Sequence, residues 1–259
     1  MSAAARLSVR EAGKRYGDLQ AIADVNMDVD RNSIVSIVGP SGCGKTTLLW
    51  SMSGLHPLTS GQILLDGKPI TGPHPDIGLV FQEANLLPWR NLIQNILFPF
   101  EIKRQTPDRA WIDHLLDRVG LTGFEDRSPR ELSGGMQQRA SIVRALSLRP
   151  SVLLMDEPFG ALDAFTREEM NRLVEEIWLE THTTIVFITH SIEEAIFLSD
   201  RVIVLSPRPG RVMADYTVPF ARPRSIATMA SREVFDLQNR IKADIYGQKA
   251  TQPGVQAVA

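Results

Sequence analysis

The 259-residue chain reads as an α/β fold: a buried, mostly parallel sheet, a flanking antiparallel sheet and an inserted helical subdomain. Three observations predict it. Short Val- and Ile-rich runs alternate with helical patterns, as happens when strands are covered by helices on both faces. A glycine-rich loop, Gly39 to Thr46, follows one such run and precedes a helical pattern. The stretch from Gln82 to Ser133 carries helical rather than strand character.

Along the chain, Val25, Met27 and Val29 alternate with Asn26, Asp28 and Asp30, the pattern of an antiparallel strand with one wet face. Ser33 to Val38 reads as a buried strand feeding the glycine-rich loop, with a helix from about Lys45 to Met52 behind it. Gln62 to Leu65 followed by Asp66-Gly67 reads as a strand and its turn. Ile77 to Phe81, Val152 to Met155, Thr184 to Thr189 and Arg201 to Leu205 read as further central strands. Asp108 to Val119 places Trp111, Leu115, Leu116 and Val119 on one face of an amphipathic helix. Beyond Val218 the chain turns Pro- and Arg-rich, then weakly helical to Tyr246, and the last dozen residues are expected to fray. This gives a main domain over residues 5–218, its helical subdomain at about 83–135, and a short C-terminal helical tail over 219–259.

Composition narrows the function classes. With 43% hydrophobic and 22% charged residues, the chain can bury a full core. The net charge of -2, without a long Lys or Arg run, argues against a nucleic-acid partner. A lone cysteine, Cys43, excludes an internal disulfide and suits a reducing compartment. Met1 to Arg10 lacks the apolar stretch of a secretory leader. The strongest apolar runs fall far short of the roughly 18 residues that span a bilayer, so a membrane is met only through a partner. No His/Cys cluster has metal-ligand spacing, which argues against zinc, and His56, His74, His114 and His182 read as structural.

The chemistry is carried by two glycine-rich loops and one acidic strand end. In Gly39-Pro40-Ser41-Gly42-Cys43-Gly44-Lys45-Thr46, continued by Thr47, the glycines let successive N–H groups turn inward around phosphates. The helix start adds its positive dipole end. Lys45 supplies a charge for β- and γ-phosphates, and the Thr46 hydroxyl can ligate Mg²⁺. Cys43 is not needed chemically and reads as a bystander whose alkylation would block the nucleotide. The apolar strand Val152 to Met155 ends in Asp156, suited to hold Mg²⁺ through water, and Glu157, placed to act as general base on the attacking water. Leu132-Ser133-Gly134-Gly135-Met136-Gln137-Gln138-Arg139 is a second glycine-rich turn opening a helix, hence a second anion site. One chain cannot bring both loops to a single γ-phosphate without awkward folding, so the second loop is expected to serve a nucleotide held by a partner copy.

With Leu-Ser-Gly-Gly-x-Gln intact at Leu132 to Gln137, the sequence resembles the ATP-binding cassette (ABC) ATPases over roughly Leu7 to Val218. The resemblance implies a P-loop NTPase of the ABC type, a homodimer with two ATP molecules sandwiched between opposing loops, and ATP with Mg²⁺ as cofactors. It implies that Tyr16 stacks on adenine, that Gln82 links Mg²⁺ and water to the helical subdomain, and that His190 contacts the γ-phosphate. Gly160-Ala161-Leu162-Asp163 resembles the loop that crosses the dimer interface, although the family more often has Ser where Gly160 stands. The family context also implies transmembrane permease subunits, indirectly a solute-binding protein, and a peripheral place at the cytoplasmic face of the cell membrane. Ala84 to Asn91 lies where the family docks the permease's coupling helix. There Leu86, Leu87 and Trp89 are either ordinary core or a partly exposed groove, and the proline break favours the groove.

A finer resemblance rests on Leu87-Pro88-Trp89-Arg90-Asn91, on Val204 to Arg211 and on the short tail. These are similar to the nitrate/sulfonate/taurine class of importer ATPases, which implies uptake of a small anion, a sulfonate or a related nutrient. Two alternatives stay open: an export or lipid-handling ATPase of the same fold, and a soluble non-transport cassette acting on DNA or ribosomes. The latter usually carries long coiled-coil insertions or two cassettes in one chain, and neither is visible here.

Overall fold

A computed structural model describes residues 5–160 and 162–247; the expected fraying of the last dozen residues and position 161 lie outside the described residues. In chain order, β1 (Leu7–Tyr16) and β2 (Leu19–Val29) form a bulged hairpin, and β3 (Ile34–Val38) leads through the glycine-rich loop into α1 (Lys45–Met52). A second hairpin, β4 (Ser60–Leu65) and β5 (Lys68–Pro69), is followed by β6 (Ile77–Val80). The helical insertion comprises α2 (Leu92–Lys103), α3 (Arg109–Arg118), a 3-10 turn at Pro129–Glu131 and α4 (Gly134–Leu146). The chain then returns through β7 (Val152–Asp156), α5 (Ala164–Thr181), β8 (Thr184–Ile188), α6 (Ile192–Leu198), β9 (Arg201–Leu205) and β10 (Val212–Thr217). Two helices close it, α7 (Ile226–Met229) and α8 (Arg232–Gly247).

The strands form two sheets. One is antiparallel, in the order β2-β1-β4-β5; the other has six strands in the order β10-β9-β3-β8-β7-β6, all parallel except for β10 at its edge. The turn between β4 and β5 has Asp66 at φ 48° and Gly67 at φ 75°, the pair of left-handed residues that a tight type I′ hairpin requires.

The apolar runs are continuous because the central strands are buried on both faces. Leu153 and Met155 of β7, with Ile185 and Phe187 of β8, pack under α2, α3, α4 and α5. Their neighbours Val152, Leu154, Val186 and Ile188 face α1 and the antiparallel sheet. In the helical insertion α3 turns its expected face to the core, with Ile112 added to it. Ile112, Leu115, Leu116 and Val119 are buried, whereas Trp111 lies at the edge, donating Nε1–H to the Leu146 carbonyl and stacked under the Arg149 guanidinium.

The register sets up the site. Met155 of β7 pairs with Val80 of β6 and with Phe187 of β8, while Ile188 of β8 pairs with Ile37 of β3. The glycine-rich loop, Glu157, Gln82 and His190 therefore all emerge within a residue or two of one level, at the carboxyl edge of the parallel sheet.

The segment after Val218 is locked to this core. Arg224, only 4% exposed, donates from Nη1 to the carbonyls of Ile196, Phe197 and Ser199 at 2.7–2.8 Å, which caps the end of α6. Its Nε and Nη2 donate to the Phe220 carbonyl, and burial pushes its guanidinium down to about 10. Val234, Leu237, Ile241 and Ile245 of α8 complete the packing against α6 and β9. Replacing Arg224 by Ala strands these buried carbonyls. We expect Arg224→Ala to lower the unfolding free energy by about 3 kcal/mol in urea titrations; a loss below about 1 kcal/mol would contradict the capping role.

Candidate nucleotide site

The loop between β3 and α1 is held in place by close backbone contacts. Gly44, at φ 101°, lies where a Cβ would come within 2.6 Å of Ile22 and 2.8 Å of the Ala21 carbonyl, so only glycine fits against β2. From within this loop, Lys45 is 7% exposed and donates from Nζ to the carbonyls of Gly39 and Pro40 at 3.0 and 3.1 Å. The ammonium is thereby held at the mouth of the loop, and among the described residues no carboxylate pairs with it.

Thr46, at the start of α1, donates its hydroxyl to Oδ1 of Asp156 at 3.1 Å. Asp156 is 6% exposed, and burial pushes its carboxyl above the usual range, only partly offset by Thr46. Glu157 follows in the left-handed region at φ 43°, a strained conformation for a residue with a side chain. Its Oε2 lies 3.3 Å from Nδ1 of His190. A Cβ built on Gly160 would sit 3.7 Å from Gln82 Nε2 and 3.8 Å from Glu157 Oε2, which places all three together. Serine at 160 meets no steric bar, so the departure from the family residue simply leaves room beside Glu157.

An open cleft of about 340 Å³ lies over this loop. Ser41, Gly42, Gly44, Lys45, Thr46 and Thr47 form its floor, with Glu157 on one side and Tyr16, Leu19, Ala21 and Arg208 on the other. Tyr16 is 42% exposed, and its hydroxyl is 2.9 Å from Nδ1 of His56. His56 thus orients the aromatic ring, a role its sequence context did not signal. Cys43 points the other way: it is 1% exposed in the core beneath the loop, and burial pushes its thiol up. The expectation that alkylating Cys43 would block the nucleotide is corrected accordingly, because the folded protein shields the thiol.

The second glycine-rich turn does not line this cleft among the described residues. Ser133 is the N-cap of α4 and accepts from the Met136 amide at 3.2 Å; Gly134 faces open space. A Cβ on Gly135 would meet Thr166 of α5 at 3.1 Å. Asp163, the N-cap of α5, accepts from the Phe165 and Thr166 amides and from the Thr166 hydroxyl, which hold its carboxyl below the usual range. Ser133, Gly134, Gly135 and Asp163 therefore share a second surface.

Buried links tie the two regions together, and sequence reading missed them. Gln138 and Arg144 of α4 donate to the carbonyls of Phe81, Ala84 and Asn85, fixing the segment that carries Gln82. Asn95, fully buried on α2, accepts from the Leu87 amide at 2.6 Å and donates to the carbonyls of Leu87, Arg90 and Asn91. It presents Trp89 outward, 75% exposed, with Leu86 packed against the core. Glu194, pushed up by burial, accepts from the Thr189 hydroxyl at 2.5 Å and pairs with Arg167, which donates to the Leu162 carbonyl at 2.8 Å. That chain of contacts joins the His190 turn to the turn before Asp163.

Comparison with known proteins agrees with this arrangement. The ABC transporter family matches residues 22–160. This chain belongs to the ABC transporter family. It is 47% identical over 222 residues to the taurine import ATP-binding protein TauB of Jannaschia sp. (strain CCS1), covering 83% of each chain. It is equally similar to TauB of Roseobacter denitrificans, at 47% over 223 residues and 83% of each chain. Among solved structures, cbiO1 from Clostridium perfringens, part of the cbiONQ ABC transporter complex, superposes with a TM-score of 0.76 at 28% identity, covering 95% of this chain and 97% of that one. A dimeric bacterial ABC transporter cassette matches at TM-score 0.73 and 31% identity, covering 83% and 100%. The chain is an ATPase cassette of this family, with its α/β core, antiparallel sheet and helical subdomain.

The buried Asp156 makes a stability prediction for this cassette. A carboxyl whose folded pKa is raised is destabilising at pH above that value, and the penalty disappears as pH falls through it. In metal-free buffer Asp156→Asn, which keeps an acceptor for Thr46, should therefore melt at or above the wild-type temperature near pH 7.5. The difference should shrink on acidification. A lower melting temperature at pH 7.5 would show that the charge stabilises the nucleotide-free fold.

Proposed function

We propose that this chain is the energy-coupling ATPase subunit of a multi-subunit importer for a taurine-like sulfonate or related small anion. The observation that carries the reading is the taurine-import relatives at 47% identity over 83% of both chains. No helix among the described residues is long and apolar enough to cross a membrane, so the path for the solute belongs to separate permease subunits. The Leu86 to Trp89 loop, held rigid by Asn95, offers the exposed surface for such a permease. On this reading the chain sits peripherally at the cytoplasmic face of the membrane, and a solute-binding protein chooses the cargo.

ATP is the substrate, with its phosphates on the loop amides of Gly39 to Thr46 and its adenine against Tyr16. Lys45 supplies the positive charge that the phosphates need, and leaves its carbonyl partners for them. The Thr46 hydroxyl and Asp156 carboxylate, already adjacent, with Gln82, are the hard oxygen donors that suit Mg²⁺, which neutralises developing charge when bound. Glu157 takes the proton of water as its oxygen attacks the γ-phosphorus and the bond to the ADP oxygen breaks. His190, 3.3 Å from Glu157, orients that carboxylate and reaches toward the departing phosphate. Ser133, Gly134, Gly135 and Asp163 face a nucleotide held by a second copy, which a closed two-fold dimer would supply.

The test is growth on taurine as sole sulfur source in a strain lacking its own copy of this chain. The wild-type chain should restore growth, and Lys45→Ala should not, with purified ATPase activity down by at least about a hundredfold. Growth supported by Lys45→Ala, or equal growth without the chain, would overturn the proposal.

A further inference from the structure

The run Val204 to Arg211, which supports the finer family resemblance, folds into a turn that presses on the phosphate loop. Ser206 stiffens it, donating to the Pro207 and Pro209 carbonyls and accepting from the Arg211 amide. Gly210 joins it to β2: its amide donates to the Ala21 carbonyl at 2.9 Å, and its carbonyl accepts from the Ala23 amide at 3.0 Å. A Cβ on Gly210 would lie 2.2 Å from the Cys43 carbonyl, so the turn and the loop touch backbone to backbone.

From this platform Arg208 reaches the floor of the cleft. Its Nε and Nη2 both donate to the Gly42 carbonyl, at 3.0 and 2.9 Å. That contact engages the Gly42 carbonyl. Among the described residues the remaining guanidinium hydrogens have no protein partner, and Arg208 lines the same cleft as Lys45 and Tyr16. Among the described residues no carboxylate pairs with Arg208, although Arg211, three positions on, faces Asp24. A solvent-facing cation that has no acidic partner and is anchored on a phosphate loop is suited to an anionic ligand.

We propose that Arg208 is a nucleotide-binding residue, a second cation that bridges the Gly42 carbonyl and the diphosphate of the bound nucleotide. It rests on the reading of the cleft as the nucleotide site. Arg208 comes from a turn bonded to β2 at Ala21 and Ala23 and lines the cleft that Tyr16 also lines, so it serves the phosphates nearer the nucleoside and Lys45 serves the outer ones. Its contact is kept by ADP as well as ATP.

The proposal is tested by titrating the purified full chain with ADP and with adenosine at several salt concentrations. Arg208→Gln keeps an amide donor and removes the charge, and Arg208→Lys keeps the charge without the fork. Arg208→Gln should weaken ADP about tenfold, leave adenosine unchanged, and flatten the salt dependence of ADP binding, because one screened charge is gone. Arg208→Lys should recover part of both. Wild-type ADP affinity in Arg208→Gln, or weakened ADP binding with an unaltered salt dependence, would overturn the proposal, the latter pointing to a loop brace alone. Failure of the wild-type chain to bind ADP would instead overturn the reading of the cleft itself.

Discussion

The phosphate loop exists in its working shape because three backbones meet there more closely than side chains would permit. Gly44 lies against the Ala21–Ile22 segment of β2, Gly39 lies where a Cβ would come 2.8 Å from the Leu205 carbonyl, and Gly210 lies on the Cys43 carbonyl. Glycine satisfies all of these contacts and tolerates the positive φ that two of them require. The parallel sheet supplies one wall, the antiparallel sheet the second and the turn after β9 the third. Loosening any of them would cost the loop its shape before any catalytic group was touched.

From that junction the rest of the site follows by register. The neighbouring strands β8 and β7 end level with β3, so Glu157 and His190 arrive at the loop without a dedicated device. What needs building is the link to distant surfaces. Gln138, Arg144 and Asn95 hold the segment from Phe81 to Asn91, which carries both Gln82 and the exposed Trp89. Glu194 and Arg167 couple the His190 turn to the surface that carries Asp163. Gln138, Arg144 and Asn95 act through bonds to backbone carbonyls and amides, whereas Glu194 reaches Thr189 and Arg167 side chain to side chain.

Much of this was legible in the sequence, for a physical reason in each case. Strands buried on both faces must be uniformly apolar, so β3, β7, β8 and β9 stood out within a residue of their ends. A backbone that wraps phosphate would need glycines, and a Mg²⁺ site would need an acid at a strand end, which makes Gly39 to Thr46 and Asp156 the candidates the sequence offers. The missed residues have no such demand on their type. Asn95 looks like any helical asparagine until Leu87 to Asn91 folds over it. Glu194 and Arg167 are far apart in sequence and meet only across α5 and α6. The face of α3 was legible from Trp111, Leu115, Leu116 and Val119, which all reach the core, whereas Ile112, fully inside, was not singled out. Cys43 sits in a motif whose neighbours face the ligand, but its own side chain belongs to the core beneath.

The proposed function gives one chain half of each site, since among the described residues the second glycine-rich turn lies apart from the cleft over the first. Gel filtration of Glu157→Gln, which keeps the loop and removes the proposed base, measures this most directly. With Mg-ATP the variant should run as a dimer, and without nucleotide, or with an added Ser133→Arg change, as a monomer. A Glu157→Gln chain that binds ATP yet stays monomeric at every concentration would contradict the account.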